Sequence, residues 1–219
     1  KLTQILNFKK IKDIFNINLN IFIRTILLTF SFLWFTYLGT QIGEDYVAAN
    51  AILINLVFLS AFILDAYAFS TEGIVGYSLG KKDLNLFKKI IKNSFILSSI
   101  TGLIISILFF FSHNSVINLM SDISEIRMLS SSYVIWLIIL PIISSFCYQF
   151  DGIFIGASQT LELRNAMIFS VLCYLIISVL LTKFLFNNGI WISLCVFMIL
   201  RAISLFYYLD KIYLRFRTN

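Results

Sequence analysis

The composition of this 219-residue chain excludes an ordinary soluble domain. Hydrophobic residues make up 59% of the chain and charged residues only 13%, and the mean hydropathy is +0.92, whereas about a quarter of a soluble protein is charged. The net charge of +6 does not indicate nucleic-acid binding, because the basic residues cluster in short loops between apolar segments. These features predict a membrane protein.

Six apolar segments are long enough to cross a bilayer as helices, which takes about 20 residues each. The predicted spans cover residues 17–39, 46–79, 87–111, 130–154, 163–186 and 190–209. They are continuously apolar and do not alternate, which argues against a β-barrel. We therefore predict an all-α, polytopic membrane protein, with a basic cytoplasmic segment at residues 1–16 and a six-helix transmembrane domain at residues 17–219.

The positions of the basic residues predict an orientation. Most of the 17 lysines and arginines fall on one side of the predicted spans, and the loop after the second span carries Lys81, Lys82, Lys88, Lys89 and Lys92. Cytoplasmic loops are enriched in Lys and Arg, so we expect both termini to be cytoplasmic in an inner (plasma) membrane. The chain begins with Lys and not Met, which indicates a fragment or a processed piece.

Two carboxylates lie within the long second span, at Asp65 and Glu72. A charge at the centre of the bilayer costs roughly 3 kcal/mol even on insertion scales, so such residues face a bundle interior or a water-filled cavity and often mark an ion or substrate path. Their seven-residue spacing places both on one helix face. At about 1.5 Å per residue, Asp65 is predicted to lie within the membrane and Glu72 near its inner interface.

A third carboxylate, Asp151, lies near the inner end of the fourth span beside the polar Gln149, and Arg201 lies in the middle of the sixth. Arg201 is a natural ion-pair partner for one of the three carboxylates, and the sequence leaves open which one. Asp65, Glu72 and Asp151 are our candidates for cation or substrate binding, with Gln149 and Arg201 in support. The alternative for each is a polar contact that only holds helices together.

Pro141 and Gly76 are predicted to shape the helices. Pro141 lies in the middle of the fourth span, where its missing N–H favours a kink that could serve as a hinge. Gly76 and Gly80 on the second span, like Gly152 and Gly156 on the fourth, form a Gly-x-x-x-Gly face that allows close helix approach. Gly76 and Pro141 are therefore candidate gating residues.

The sequence contains no recognisable metal or nucleotide motif: it has no HExxH, no CxxC array and no Gly-rich phosphate loop. The three cysteines lie in different spans, and the single histidine, His113, is predicted to be a solvated loop residue. We expect no metal and no organic cofactor. A membrane-embedded enzyme, which would need a clustered His/Asp or Cys/His constellation, has no support, so we predict that the chain is not an enzyme.

Two segments resemble one transporter family. Residues 64–83 (LDAYAFSTEGIVGYSLGKKD) resemble the eighth helix of MATE (multidrug and toxic compound extrusion) transporters of the DinF branch, and residues 149–166 (QFDGIFIGASQTLELRNA) resemble the junction of their tenth and eleventh helices. The resemblance implies twelve helices in two six-helix lobes around a central cleft. This chain would be the C-terminal lobe, with residues 1–16 as the connection between the lobes.

The function implied by the resemblance is multidrug efflux: cation-coupled antiport, driven by H⁺ or Na⁺, that exports organic or cationic compounds. Asp151 resembles an acidic position implicated in cation binding in the family. In the DinF branch the usual coupling carboxylate lies in the first helix, outside this chain. The implied partners are the lipid bilayer, a small organic substrate and the missing N-terminal six-helix lobe, with no nucleic acid.

Two other functions stay open at this point. The first is a lipid-linked oligosaccharide flippase of the same superfamily, which would favour a large cationic cleft over isolated carboxylates. The second is a non-transporting membrane accessory protein that only associates with other chains.

Overall fold

The computed structural model describes residues 8–216, and within them every regular element is a helix. The helices are α1 (Phe8–Thr40), α2 (Glu44–Gly80), α3 (Leu84–Met120), α4 (Ser124–Ser132), α5 (Val134–Gly156) and α6 (Thr160–Leu214). All except the nine-residue α4 are long and apolar enough to cross a membrane. The predicted all-α, multi-pass fold is confirmed. Of the predicted basic segment 1–16, residues 1–7 lie outside the described residues.

Helix α6 is a hairpin of two arms, 160–185 and 187–214, that reverse at Phe186. Phe186 has φ 49° and ψ −131°, far from helical values. The arms pack against each other along their length: the rings of Tyr174 and Phe197 lie 5.2 Å apart, and Lys211 donates to Glu162 at 3.0 Å. The predicted windows 163–186 and 190–209 fall on the two arms, so the five long elements provide six membrane-crossing segments.

Two helix boundaries differ visibly from the predicted windows. The window 130–154 begins within α4. In the structure α4 ends at Ser132 and the crossing helix α5 begins at Val134, so Tyr133 separates two helices. Helix α3 continues to Met120, past the predicted end at residue 111, although its last turns are polar. Ser112 donates to the Leu108 carbonyl at 2.7 Å, and such local bonds satisfy polar side chains and let the helix continue beyond the apolar stretch.

The reversals of the chain gather at two ends of the bundle. The tryptophan end holds residues 41–43, 121–123 and Phe186, and the lysine end holds the turns 81–83 and 157–159. At the tryptophan end the Trp136 indole donates to Asn188 at 3.0 Å. At the lysine end Asp83 caps α3 by accepting from the Leu86 amide at 2.9 Å. Asn20 of α1 contacts Thr160 at 3.3 Å, so α1 starts from the lysine end, where α6 also ends.

Helix α5 is the most buried of the crossing helices, and glycines let its neighbours approach it closely. A Cβ at Gly152 would lie 2.3 Å from the Ala68 carbonyl oxygen of α2, and one at Gly156 would lie 2.4 Å from the Glu72 carbonyl oxygen. On the other side of α5, a Cβ at Gly102 of α3 would lie 2.8 Å from the Pro141 carbonyl oxygen. These contacts place the second and fourth predicted spans, and their carboxylates, side by side.

Candidate transport site

Three charged side chains from three helices meet inside the bundle and form what we call the charge cluster: Arg24 of α1, Asp151 of α5 and Arg201 of α6. Both guanidiniums donate to Asp151 Oδ2, and the bond from Arg201 Nη2 is 2.6 Å long. Asp151 is only 5% exposed and Arg201 only 1%. The question that the sequence left open is thus answered, because Arg201 pairs with Asp151.

Packing holds Arg201 in place within this cluster. Its guanidinium carbon lies 5.4 Å from the centre of the Phe197 ring, which is within cation–π range. Its Nη1 lies 3.3 Å from the Met198 sulfur. Arg201 is therefore a fixed cation in the bundle, while the Arg24 side chain keeps 15% of its surface exposed.

The charge cluster does not satisfy all of its own polar groups. Asp151 Oδ1, Arg24 Nε and Arg201 Nε are buried and make no hydrogen bond to the described part of the chain. Two guanidiniums share one carboxylate, so the cluster has an excess positive charge. Buried charges are stabilised only when good geometry and additional hydrogen bonds compensate for lost hydration. A further negative group nearby would therefore stabilise the two guanidiniums.

Asp65 of α2 is a further acidic side chain next to the charge cluster. Its side chain is half-buried, and the charges of Asp151, Arg24 and Arg201 all act on it electrostatically. Among residues 8–216, Asp65 has no basic group within ion-pair distance. With Asp65 ionised the four side chains are neutral in total, and with Asp65 protonated they carry one positive charge.

Glu72 and Gln149 lie on either side of the crossing between α2 and α5. Gln149 is fully buried, and its Oε1 accepts from Thr71 Oγ1 at 2.9 Å, while its Nε2 makes no hydrogen bond within the described residues. The Glu72 side chain is half-buried and belongs to no ion pair in the described part of the chain. Gly76 follows Glu72 by one turn, and a Cβ added at Gly76 would lie 3.4 Å from the Gly156 carbonyl oxygen.

Pro141 lies inside α5 and is buried against α3. Three residues later Ser144 Oγ donates to the Leu140 carbonyl at 2.7 Å, so a side chain adds a hydrogen bond in the turn that contains the proline. The predicted role of Pro141 as a hinge stays a prediction.

Sequence reasoning missed the part that Arg24 plays. It sits in Ile21-Phe-Ile-Arg24-Thr-Ile26, where it is the only charge in that stretch of the first span. The signal was available, because an isolated charge in an apolar span needs a partner. The partner could not be read, since Asp151 lies 127 residues further along the chain.

Within residues 8–216 no group of three or more His, Cys, Asp or Glu side chains is arranged to hold a metal ion. Cys147 and Cys195 are buried and Cys173 is half-buried, and none of them forms a disulfide.

Comparison with known proteins yields a family and a fold. The sequence model of the MatE family matches residues 21–182. The DNA damage-inducible protein F of Escherichia coli K12 is 32% identical over 199 residues, which are 91% of this chain and 42% of that protein. The chain thus spans less than half the length of this curated relative.

Two solved structures share the fold. One is a MATE protein crystallised in complex with MaL6, with a TM-score of 0.84 and 14% identity over 95% of this chain and 48% of that one. The other is the Vibrio cholerae MATE transporter VcmN in its bent form, with a TM-score of 0.75 and 18% identity over 86% of this chain and 43% of that one. In both cases most of this chain corresponds to less than half of the larger protein.

Proposed function

The chain belongs to the MATE family, in its DinF branch, and from this premise we propose that it forms the C-terminal lobe of a cation-coupled antiporter. The antiporter exports organic or cationic compounds in exchange for H⁺ or Na⁺. The missing partner is an N-terminal lobe of six further helices, and the cleft between the two lobes takes the substrate. The chain spans less than half of its curated relative, which supports this division.

The observation that carries the proposal is a half-buried carboxylate beside a buried charge cluster. Asp65 is accessible and has no ion-pair partner in the described residues, whereas Asp151 is held by Arg24 and Arg201. A cation or proton at Asp151 would have to compete with the two guanidiniums that already donate to its Oδ2. Neutralising Asp151 would leave buried positive charge uncompensated. Binding at Asp65 involves no such competition within the described residues. We therefore assign proton or cation exchange to Asp65 and an anchoring role to Asp151.

The exchange changes the charge next to Arg24. Loss of a proton from Asp65 restores a neutral group of four side chains and creates a negative site on the partly exposed side of the bundle. Such a site attracts a cationic organic compound, and reprotonation weakens the attraction. Carboxylates inside transmembrane segments mark substrate and ion pathways and proton relays in pumps and transporters. Glu72, about two turns beyond Asp65 toward the lysine end, is the second candidate on the same helix.

The proposed orientation places the lysine end in the cytoplasm. At that end, the reversal 81–83 and the start of α3 carry five lysines: Lys81, Lys82, Lys88, Lys89 and Lys92. Basic residues are retained on the cytoplasmic side. Both described ends of the chain lie there as well. We also propose an inner (plasma) membrane location.

Efflux measurements on Asp65→Asn test the proposal. In the intact transporter that contains this chain, we expect Asp65→Asn to abolish coupled export of a cationic dye while membrane insertion and protein level stay unchanged. Asp122→Asn is the matched control, because Asp122 is a fully exposed carboxylate at the tryptophan end. Dye export by Asp65→Asn at the wild-type rate and expression level would overturn the assignment of Asp65.

The charge cluster gives no support to the flippase alternative. A flippase for anionic lipid-linked sugars would need open cationic side chains along the cleft, whereas both arginines of the cluster donate to Asp151. Asp65 is half-buried and has no ion-pair partner among residues 8–216, which favours transport over an accessory protein.

A further inference from the structure

A groove of about 280 Å³ lies between α2 and α3, close to the lysine end. It is bounded by the last third of α2 and the first third of α3. Its walls are apolar and are formed by Ile74, Leu86, Ile90 and Leu97. Ile74 and Leu97 are about half exposed, at 44% and 53%. Its volume is at the lower edge of the usual range for ligand pockets, about 300 to 1,000 Å³, so it accommodates part of an amphipathic molecule.

The polar groups of the groove fall into two sets. Thr71 and Ser94 already donate within the protein, to Gln149 Oε1 at 2.9 Å and to the Ile91 carbonyl at 3.0 Å. Ser70, Lys89 and Asn93 have exposed side chains along the rim, and Lys89 has no acidic partner within ion-pair distance in the described residues. The rim therefore offers a cation, an amide and a hydroxyl to a ligand.

The order of these groups along α3 is a polarity gradient. Lys89, Asn93 and Leu97 follow one another at four-residue spacing and so lie on one helix face. Moving from the lysine end into the bundle, a ligand would meet a positive charge, then a hydrogen-bonding amide and then an apolar side chain. A phospholipid presents the matching sequence of phosphate, ester groups and acyl chain.

The charges around the groove have one predominant sign. The basic side chains next to it are Lys81, Lys82, Lys88 and Lys92, and the acidic ones are Glu72 and Asp83. Asp83 is engaged as the cap of α3, and Lys81 also lies 4.5 Å from the centre of the Tyr77 ring. Clusters of lysines beside a membrane span attract anionic lipids, with about a fivefold gain in affinity for each lysine near the surface.

We propose that this groove binds the headgroup and upper acyl chain of an anionic phospholipid from the leaflet at the lysine end. Lys89 pairs with the phosphate, Asn93 and Ser70 bond to the ester region, and Leu97 and Ile74 contact the chain. The apolar walls favour a lipid over a soluble anion, since a free phosphate would leave them exposed. The inference does not depend on Asp65 or on transport, because neither Asp65 nor any member of the charge cluster lines the groove.

Native mass spectrometry of the intact membrane protein, purified in detergent, tests the proposal. Phosphatidylglycerol and phosphatidylcholine are titrated separately, and we expect one phosphatidylglycerol to be retained at lower concentration than phosphatidylcholine. Lys89→Gln should weaken phosphatidylglycerol binding by more than about fivefold, because it removes the direct pair with the phosphate in addition to the general surface attraction of one lysine. Lys92→Gln is the matched control, because it removes the same charge from the same helix outside the groove, and it should have a clearly smaller effect.

A second pair of variants tests whether lipid binding depends on the shape of the groove or only on general surface charge. Ser70→Phe fills the groove without changing any charge and should also weaken phosphatidylglycerol binding, whereas Asn55→Phe, at an exposed position about four turns away on the same helix, should not. Equal losses in Lys89→Gln and Lys92→Gln would overturn the proposal, as would unchanged binding in Ser70→Phe. Displacement of phosphatidylglycerol by millimolar inorganic phosphate would overturn the assignment to a lipid.

Discussion

Gly152 of α5 packs directly on Ala68 of α2, with 2.3 Å between the position of an added Cβ and the Ala68 carbonyl oxygen. The contact lies one residue from Asp151 and three residues from Asp65. Backbone proximity of this kind is possible only where one helix has no side chain, and here it brings the two carboxylates of the candidate site together.

Replacing Gly152 by Ala should therefore separate the two helices. Overpacking of a well-packed interface costs about 1–3 kcal/mol, so we expect a lower unfolding midpoint for Gly152→Ala in detergent. Gly73→Ala is the matched control, because nothing lies within 4 Å of a Cβ at Gly73, and it should leave the midpoint unchanged or raise it. Equal shifts in the two variants would contradict the close approach.

Removing the carboxylate at the centre of the charge cluster should lower the free energy of unfolding by more than Gly152→Ala does. Asp151→Asn leaves Arg24 and Arg201 without a counter-charge, and breaking a buried ion pair in this way destabilises by about 3–5 kcal/mol. Adding Arg24→Gln to Asp151→Asn removes one of the two unpaired cations and should recover part of the loss. A double variant as unstable as the sum of the two single variants would show that the cluster does not act as a unit.

The tryptophan end depends on a buried amide pair. Asn50 and Asn187 exchange two hydrogen bonds of 2.6 and 3.0 Å, and Trp191 donates to Asn50 Oδ1 at 2.9 Å. Asn50→Leu leaves both partners with unsatisfied polar groups, which costs about 1–3 kcal/mol and should lower the unfolding midpoint. Asn55→Leu changes an exposed asparagine of the same helix and should not. Similar midpoints for the two variants would refute a stabilising network.

The proposed orientation can be measured with single cysteines. In a background with Cys173→Ala, Asp122→Cys at the tryptophan end should react with a membrane-impermeant maleimide added to intact cells. Lys88→Cys at the lysine end should react only after the membrane is opened. The opposite pattern of labelling would invert the assignment of the lysine end to the cytoplasm.

The sequence predicted those features that depend on local composition. The apolar segments follow from the length of helix that a bilayer requires, and the glycines at 152 and 156 indicated the close approach of α5. Hydropathy identifies only the apolar part of a helix. The polar extension of α3 to Met120 and the short helix α4 were therefore missed. The grouping of Arg24, Asp151 and Arg201 was not readable either, because it joins residues 50 to 127 positions apart through tertiary packing.

The reversal at Phe186 has a practical consequence. The last two spans are joined with almost no intervening polypeptide, so at that point an antibody, a protease or an inserted tag finds no loop to engage. On the same side of the described bundle, the stretch from 120 to 134, with its short helix α4, offers the longest accessible segment. Epitope tags placed there, near Asp122, should be tolerated, whereas insertion after Phe186 should prevent the final pair of helices from entering the membrane together.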